Sequence, residues 1–92
     1  MEKEMYALTF CYGGFDDCSP YGATLAVSTD IEKLKAKMEK CVAEDCEINE
    51  DDEWADDKNF VEYLRCETCI CLQHRKNINL YTKYTIYSVD VL

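Results

Sequence analysis

Hydrophobic and polar residues alternate along residues 5–12, MYALTFCY, which is the period of a β-strand. The residues at even positions form its strongly apolar face: Tyr6, Leu8, Phe10 and Tyr12. Residues 13–22, GGFDDCSPYG, contain the glycine, aspartate and Ser-Pro residues that are typical of a loop. Residues 23–28, ATLAVS, favour a second strand with one apolar face made of Ala23, Leu25 and Val27. The two strands are predicted to form an antiparallel hairpin across this long loop.

The apolar period then changes from two to that of an α-helix, which we predict over about residues 30–44. Thr29 and Glu32 match a capping box, in which a threonine hydroxyl bonds an early helix N–H and a glutamate reaches back. The apolar face of this helix is made of Ile31, Leu34, Met38, Cys41 and Val42. Several lysines occupy the rest of its circumference, so the helix is predicted to be amphipathic.

A polar, acidic connection is predicted over residues 45–56. Trp54 is expected to anchor it to the core, because a large aromatic side chain is costly to expose. The next stretch, DDKNFVEYLR, is ambiguous. Phe60, Val61 and Leu64 suit a short helix that Asp56 or Asp57 would cap, while FVEYL also suits a strand, and the helix is the favoured prediction.

Two further strands are predicted over residues 67–74 and 81–92, the last one rich in tyrosine, threonine, isoleucine and valine. The element order is therefore β-β-α-β-β, with a short second helix before the third strand. We expect one α+β domain over residues 1–92, with a four-stranded, mostly antiparallel sheet and one main helix on a single face.

The stretches MYALTFCYGG, GATLAVSTDIEKLKAKM and YTIYSVDVL together resemble a group of small uncharacterised bacterial and phage proteins. Those proteins open with a hairpin, continue with a lysine-rich helix and close with a tyrosine-rich strand. The resemblance implies the same α+β architecture, and it implies no activity.

The net charge of −9 comes from one part of the chain. The stretch from residue 44 to residue 57, here called the acidic segment, has nine acidic residues and no Lys or Arg, while ten acids and ten bases balance in the remainder. Such a surface repels nucleic-acid phosphates and anionic lipids, so direct nucleic-acid or membrane binding is disfavoured. A basic protein partner is compatible with it.

The sequence has no signal-peptide pattern and no run of eighteen apolar residues, which predicts a cytoplasmic protein that does not span a membrane. Seven cysteines are an odd number and fit poorly with a closed disulfide framework, so we expect reduced thiols.

The side chains that could bind a metal or react as nucleophiles are most concentrated in RCETCICLQHR, residues 65–75. Cys66, Cys69, Cys71 and His74 are zinc-ligand types, but on a strand His74 points to the face opposite Cys69 and Cys71, so the four do not converge. A thiol redox pair or a Cys–His nucleophile lacks the nearby cations, helix N-terminus or glycine turn that would support it. We therefore interpret this stretch as a strand that uses cysteine as a small apolar residue, with no catalytic residue and no cofactor.

The acidic segment has two functional interpretations beside that of a solvated loop. Its spacing echoes an EF-hand calcium loop, but Glu50 stands where glycine is needed and Asp56 where a longer glutamate is usual. Its carboxylates also resemble a nucleic-acid backbone and could occupy the basic channel of a nuclease or other nucleic-acid-binding protein.

The function expected from the sequence is non-catalytic protein–protein interaction in an accessory or regulatory role. The expected interaction surface joins the hairpin loop to the acidic segment, and comprises Phe15, Asp16, Asp17, Tyr21, Glu50, Asp51, Asp52 and Glu53. An acidic inhibitor that mimics nucleic acid is the alternative, and a small zinc-binding module is the third interpretation. The partner protein is unidentified, and homodimerisation through a sheet edge stays open.

Overall fold

The computed structural model describes residues 4–14, 21–55 and 57–89. Within these residues the fold is α+β, with one helix and a five-stranded antiparallel sheet. The elements in chain order are β1 (Met5–Gly14), β2 (Tyr21–Ser28), α1 (Ile31–Asp45), β3 (Phe60–Arg65), β4 (Cys69–His74) and β5 (Leu80–Val89). The predicted class is confirmed, whereas the predicted number of strands is too small by one.

The strands lie in the order β2-β1-β5-β4-β3, and every neighbouring pair is antiparallel. The predicted β1–β2 hairpin is confirmed. The first and last strands pair at the centre of the sheet, from Met5 opposite Val89 to Gly14 opposite Leu80. Helix α1 connects one edge strand, β2, to the other edge strand, β3, and lies against β1, β2 and β5.

The extra strand is β3, for which the favoured sequence prediction of a short helix is wrong. Phe60 is buried in the core, while the rest of the strand, including Val61 and Leu64, is exposed. A helix would need an apolar stripe to bury, and only one residue here faces the core. Hydrogen bonding to β4, with Phe60 opposite His74 and Arg65 opposite Ile70, satisfies the backbone instead.

Helix α1 agrees with the predicted helix to within one residue at each end. Its N-cap is Asp30 rather than the predicted Thr29, because the Asp30 carboxylate accepts a hydrogen bond from the Glu32 N–H at 3.0 Å. The buried residues Leu34, Met38 and Val42 form its sheet-facing stripe. No helix in the described part of the chain has the length and apolarity needed to cross a membrane.

The core lies between α1 and one side of the sheet, here called the helix-facing side. Its strand residues include Leu8 of β1, Ile70 and Leu72 of β4, and Tyr84 and Ile86 of β5. Because Leu8 pairs with Ile86, and Ile70 pairs with Tyr84, these side chains project in the same direction.

The opposite side of the sheet, here called the open face, includes Val27, Cys71, Lys83 and Tyr87, and no described helix or strand covers it. The predicted single face of Ala23, Leu25 and Val27 is wrong. A bulge opposite Leu8 and Thr9 shifts the register, so that Ala23 pairs with Phe10 of the helix-facing side while Val27 pairs with Ala7 of the open face.

Candidate functional site

The acidic segment joins the end of α1 to the start of β3, and its described residues after Asp45 form no regular helix or strand. Its path is set by short-range turns. The Ala55 N–H donates to the Asp52 carbonyl at 3.1 Å, and the Glu47 N–H donates to the Glu44 carbonyl at 3.3 Å. Longer-range contacts, made by two buried polar residues, hold the acidic segment in place.

Asn59, the residue before β3, holds the acidic segment from inside. Its side-chain oxygen accepts the Asn49 N–H at 2.7 Å, and its side-chain nitrogen donates to the Asp52 carbonyl at 3.1 Å. Its backbone N–H donates to the Glu47 carbonyl at 2.9 Å, and its own carbonyl accepts the Arg75 N–H at 2.8 Å. Asn59 is only 2% exposed and has a φ of 68°, a left-handed conformation that asparagine tolerates better than most residues.

His74 provides a second internal contact to the same segment. Its Nδ1 accepts the N–H groups of Lys76 and Asn77 at 3.1 and 3.0 Å, so Nε2 carries the proton and donates to the Ala55 carbonyl at 2.9 Å. The ring is 2% exposed and packs edge-on against Phe60 at 5.3 Å between centroids. Both ring nitrogens are therefore used in structural hydrogen bonds, and neither serves as a metal ligand in this arrangement.

Trp54 does not anchor the acidic segment, so that prediction is wrong. Its side chain is 62% exposed, and the nearby Ile48 is 63% exposed. The buried polar residues Asn59 and His74 take the anchoring role, which leaves both large apolar side chains facing outward. Tryptophan is one of the residue types enriched in protein interfaces relative to the rest of the surface.

The carboxylates of the acidic segment differ in their pairing. Lys58 pairs with Glu47 at 2.6 Å, and Lys76 pairs with Glu53 at 3.5 Å. Glu50 and Asp51 are exposed and form no ion pair with any residue in the described ranges. The excess negative charge is thus presented outward.

The EF-hand interpretation does not match the contacts of the segment. The Asn49 side chain accepts the Asp52 N–H at 3.1 Å, and the Asp52 side chain accepts the Trp54 N–H at 3.2 Å. These two oxygens stabilise the loop's own turns. Across residues 4–14, 21–55 and 57–89, no group of three or more His, Cys, Asp or Glu side chains is placed to hold a metal ion.

A groove lies beside the acidic segment, between the last turn of α1 and the helix-facing side of the sheet, and has a volume of about 400 Å³. It is here called the aromatic groove, and it is lined by Phe10, Tyr12, Asp45, Asp57, Phe60, Thr82 and Tyr84. The pairings of Phe10 with Tyr84 and of Tyr12 with Thr82 place the lining residues of β1 and β5 side by side. The two carboxylates lie near the two ends of the acidic segment, Asp45 being the last residue of α1.

The environment of the aromatic groove is unfavourable for the ionised form of Asp45. Burial raises the pKa of Asp45, and the nearby charges of Glu44 and Asp57 raise it further, while a hydrogen bond donated by the Tyr84 hydroxyl and the charge of Lys58 oppose the rise. Burial and the same contact with Asp45 raise the pKa of Tyr84 far above its ordinary value, so its hydroxyl stays protonated. The groove therefore contains a half-buried carboxylate beside a second one.

Cys66 lies at the β3–β4 turn, and its thiol is hydrogen-bonded to the thiol of Cys69, which is the main reason why the pKa of Cys66 is raised. A raised pKa disfavours the reactive thiolate. Cys71 is buried, as the interpretation of cysteine as a small apolar residue expects, and His74 lies on the other side of the sheet.

The hairpin loop part of the predicted interaction surface is only partly described. Phe15, Asp16 and Asp17 lie outside the described residues. Tyr21 pairs through its backbone with Tyr12 at the end of the β1–β2 hairpin. The predicted Glu50, Asp51, Asp52 and Glu53 are brought together on the outside of the acidic segment.

Sequence reasoning missed Asn59 and the aromatic groove. A signal for Asn59 exists, because asparagine before a strand is one of the few residues that accept a left-handed turn. The groove has no local signal, since it depends on the pairing of β1 with β5.

Comparison of the chain with known protein families, curated proteins and solved structures finds no match. The resemblance to small bacterial and phage proteins therefore stays a prediction, and function has to be inferred from the contacts described above.

Proposed function

We propose that this chain is a non-catalytic accessory or regulatory protein that binds a basic surface of another protein. The contact surface consists of the outward side of the acidic segment together with the hairpin loop of residues 13–22. The net charge of −9 and its concentration in the acidic segment support a basic partner over direct nucleic-acid or membrane binding. The free thiols of the described cysteines support a reducing compartment such as the cytoplasm.

The observation that carries this proposal is the internal fixation of the acidic segment by Asn59 and His74. A solvated loop that only keeps a protein soluble has no need of two buried polar residues that bond its carbonyl and N–H groups. Because the loop is already ordered, a partner that binds it loses little conformational entropy. A preorganised surface of this kind is therefore suited to recognition.

The exposed apolar residues give the surface a contact centre. Ile48 and Trp54 are exposed and flank the exposed acids Glu50, Asp51 and Asp52 in the sequence, so the segment offers large apolar side chains as well as negative charge. Tryptophan is over-represented among the residues that dominate binding energy, and surrounding charges speed association. We assign Trp54 to the centre of the contact and the carboxylates to its rim.

A second candidate function is inhibition of a nucleic-acid-binding protein by mimicry. The specific observation in its favour is that consecutive acids are held on a fixed backbone, with Glu50 and Asp51 unpaired among the described residues. Under this alternative the partner's own DNA or RNA competes with the chain for the same basic channel. Competition by nucleic acid distinguishes the two candidates.

The proposal is tested by measuring how variants bind partners that are captured on the immobilised protein and identified by mass spectrometry. Trp54→Ala should weaken binding about tenfold or more, as expected of a central interface residue. The double variant Glu50→Gln/Asp51→Asn should mainly slow association, and its effect should shrink at high salt. Surface plasmon resonance gives both rates.

Matched variants on other surfaces provide the controls. Glu32→Gln/Glu67→Gln removes the same number of negative charges, one at the start of α1 and one at the β3–β4 turn. Ile78→Ala shortens an apolar side chain that is as exposed as Trp54. Both should bind the partner as the unmodified chain does. If the controls weaken binding as much as the acidic-segment variants do, the proposed surface is wrong.

A further inference from the structure

We propose that the aromatic groove is the binding pocket for one arginine side chain of the protein partner. This inference rests on the proposed function and names the chemistry that the partner must bring. It assigns the guanidinium to the carboxylates of Asp45 and Asp57, and the flat faces of the side chain to the aromatic rings.

The aromatic side chains give the groove the shape and surface of a cation site. Phe10 and Tyr12 of β1, which are partly exposed, and the largely buried Phe60 of β3 and Tyr84 of β5 line a volume of about 400 Å³ that is large enough for an extended arginine side chain. The hydrogen bond from the Tyr84 hydroxyl to Oδ2 of Asp45 fixes the orientation of that ring. Guanidinium groups stack on aromatic faces and are attracted by their negative quadrupole.

The negative charge of the groove is only partly balanced by the chain itself. Asp45 and Asp57 repel each other, and Lys58, the cation that acts on Asp45, is paired with Glu47 at 2.6 Å. Neither aspartate forms an ion pair with a residue in the described part of the chain. Burial adds to the unfavourable environment of Asp45. A cation that enters the groove removes this repulsion, and Oδ1 of Asp45 is the acceptor that we assign to it.

Arginine fits this arrangement better than other cations. A calcium or magnesium ion needs several converging oxygen ligands, whereas aromatic rings make up most of this lining. A lysine ammonium is compact and strongly hydrated, so it loses more when it leaves water for a half-buried groove. The planar guanidinium is more weakly hydrated and can bond two carboxylates while it stacks on a ring.

The position of the groove indicates a protein as the source of the arginine. Asp45 and Asp57 lie near the two ends of the acidic segment, and Tyr12 lies at the end of β1 from which the hairpin loop begins. The groove thus adjoins the acidic segment and the end of β1. A partner that covers the proposed contact surface with its basic side brings an arginine to the groove.

In the test, Nα-acetyl-arginine methylamide is titrated into the full chain as a probe. Two-dimensional ¹H–¹⁵N NMR of the chain measures its binding. We expect weak, saturable binding with the largest shifts at the backbone of Tyr12, Asp45, Asp57 and Tyr84. The citrulline analogue, which has the same shape without the charge, should not bind, and the lysine analogue should bind at least about fivefold more weakly. Equal binding of either analogue overturns the assignment.

Two neighbouring acids provide a matched pair of variants. Asp45→Asn keeps an oxygen that accepts from the Tyr84 hydroxyl but removes the charge, and should weaken probe binding about tenfold or more. Glu44→Gln removes a charge one residue earlier, at an exposed position outside the groove lining, and should change probe affinity less than twofold. Thermal melting confirms that each variant is folded. Probe binding that survives Asp45→Asn overturns the pocket.

The partner assay separates failure of the pocket from failure of the proposed function. If Trp54→Ala weakens partner binding while Asp45→Asn does not, the acidic surface stands and the arginine pocket is wrong. If neither variant affects a partner that is captured by the unmodified chain, both proposals are wrong.

Discussion

At the scale of single residues, the least conspicuous polar side chains organise the candidate site. Asn59 and His74 are buried and form hydrogen bonds to six backbone groups of the acidic segment and the β4–β5 turn through their side chains alone. Each unmade bond of a buried polar group would cost about 1–3 kcal/mol, so these contacts constrain the fold strongly. Because Asn59 and His74 hold the acidic segment, the side chain of Trp54 is left exposed and available for binding.

Substitution of Asn59 should separate its two roles. Asn59→Gly keeps a backbone that accepts the φ of 68° but loses the side-chain hydrogen bonds, and should lower the free energy of unfolding by about 1–3 kcal/mol. Asn59→Ala should lower it by about a further 1 kcal/mol, because alanine is strained in the left-handed region. Equilibrium urea unfolding measures both. A glycine variant as stable as the unmodified chain, or an alanine variant no less stable than glycine, contradicts this account.

At the scale of elements, α1 ends in a way that costs stability. Its last turn contains Glu44 and Asp45 and no basic residue, although the C-terminal end of a helix dipole favours positive charge. Its start is favourable, with Asp30 as N-cap and Glu32 in the first turn. Natural proteins often keep such unfavourable groups where binding requires them.

Asp45→Asn should therefore stabilise the chain in a pH-dependent manner. Burial raises the pKa of Asp45 above its ordinary value of 3.8, with Glu44, Asp57, Lys58 and the Tyr84 hydroxyl as its charged and polar neighbours. The folded state then binds the proton more tightly than the unfolded state, so stability falls as pH rises from about 3.8 through the folded-state pKa. The Asp45→Asn variant should not lose stability in this way, because its side chain stays neutral at every pH in this range.

The measurement is the melting temperature of both proteins between acidic and neutral pH. Asp45→Asn should melt higher at pH 7, and the difference should disappear at a pH below the ordinary aspartate value, where both side chains are neutral. Glu44→Gln, at an exposed position, should change the melting temperature less at pH 7. An Asp45→Asn variant that melts lower than the unmodified chain at pH 7 contradicts the unfavourable environment assigned to this carboxylate.

The elements also show which parts of the fold can be predicted from the sequence. Helix α1 was predicted to within one residue because its apolar period is local and lies within fifteen residues. Strand β3 was not predicted correctly. FVEYL becomes a strand through its backbone hydrogen bonds to β4, and it buries only Phe60. The same limit applies to the candidate site. The acids were visible as a run of charge, whereas the aromatic groove depends on contacts between residues as distant as Tyr12 and Thr82.

At the scale of the whole molecule, charge is distributed unevenly between its surfaces. The acidic segment carries the net charge of −9, while Lys83 is the only charged side chain among the described strand residues of the open face. Like charges crowded on one side repel one another, which favours the unfolded chain, where they are farther apart. Salt screens this repulsion.

Added sodium chloride should therefore raise the melting temperature. Between about 0.01 and 0.15 M the Debye length falls from about 30 to about 8 Å, so repulsion across the acidic segment is largely screened at the upper end. The Glu50→Gln/Asp51→Asn variant should show a smaller rise than the unmodified chain, and the Glu32→Gln/Glu67→Gln variant should not. Differential scanning calorimetry at several salt concentrations measures the rise. Identical salt responses in all three proteins would contradict this assignment of the repulsion.

The central pairing of β1 with β5 has a consequence for how the chain is made. Met5 pairs with Val89 and Gly14 with Leu80, so the first described strand to leave the ribosome waits for the last one before the middle of the sheet can close. Long-range antiparallel pairing of this kind is slow, because loop closure precedes the contacts that stabilise it. During that interval the edge of β1 that later pairs with β5 has no partner strand, and an unpaired strand edge of this kind makes a partly folded chain prone to aggregate.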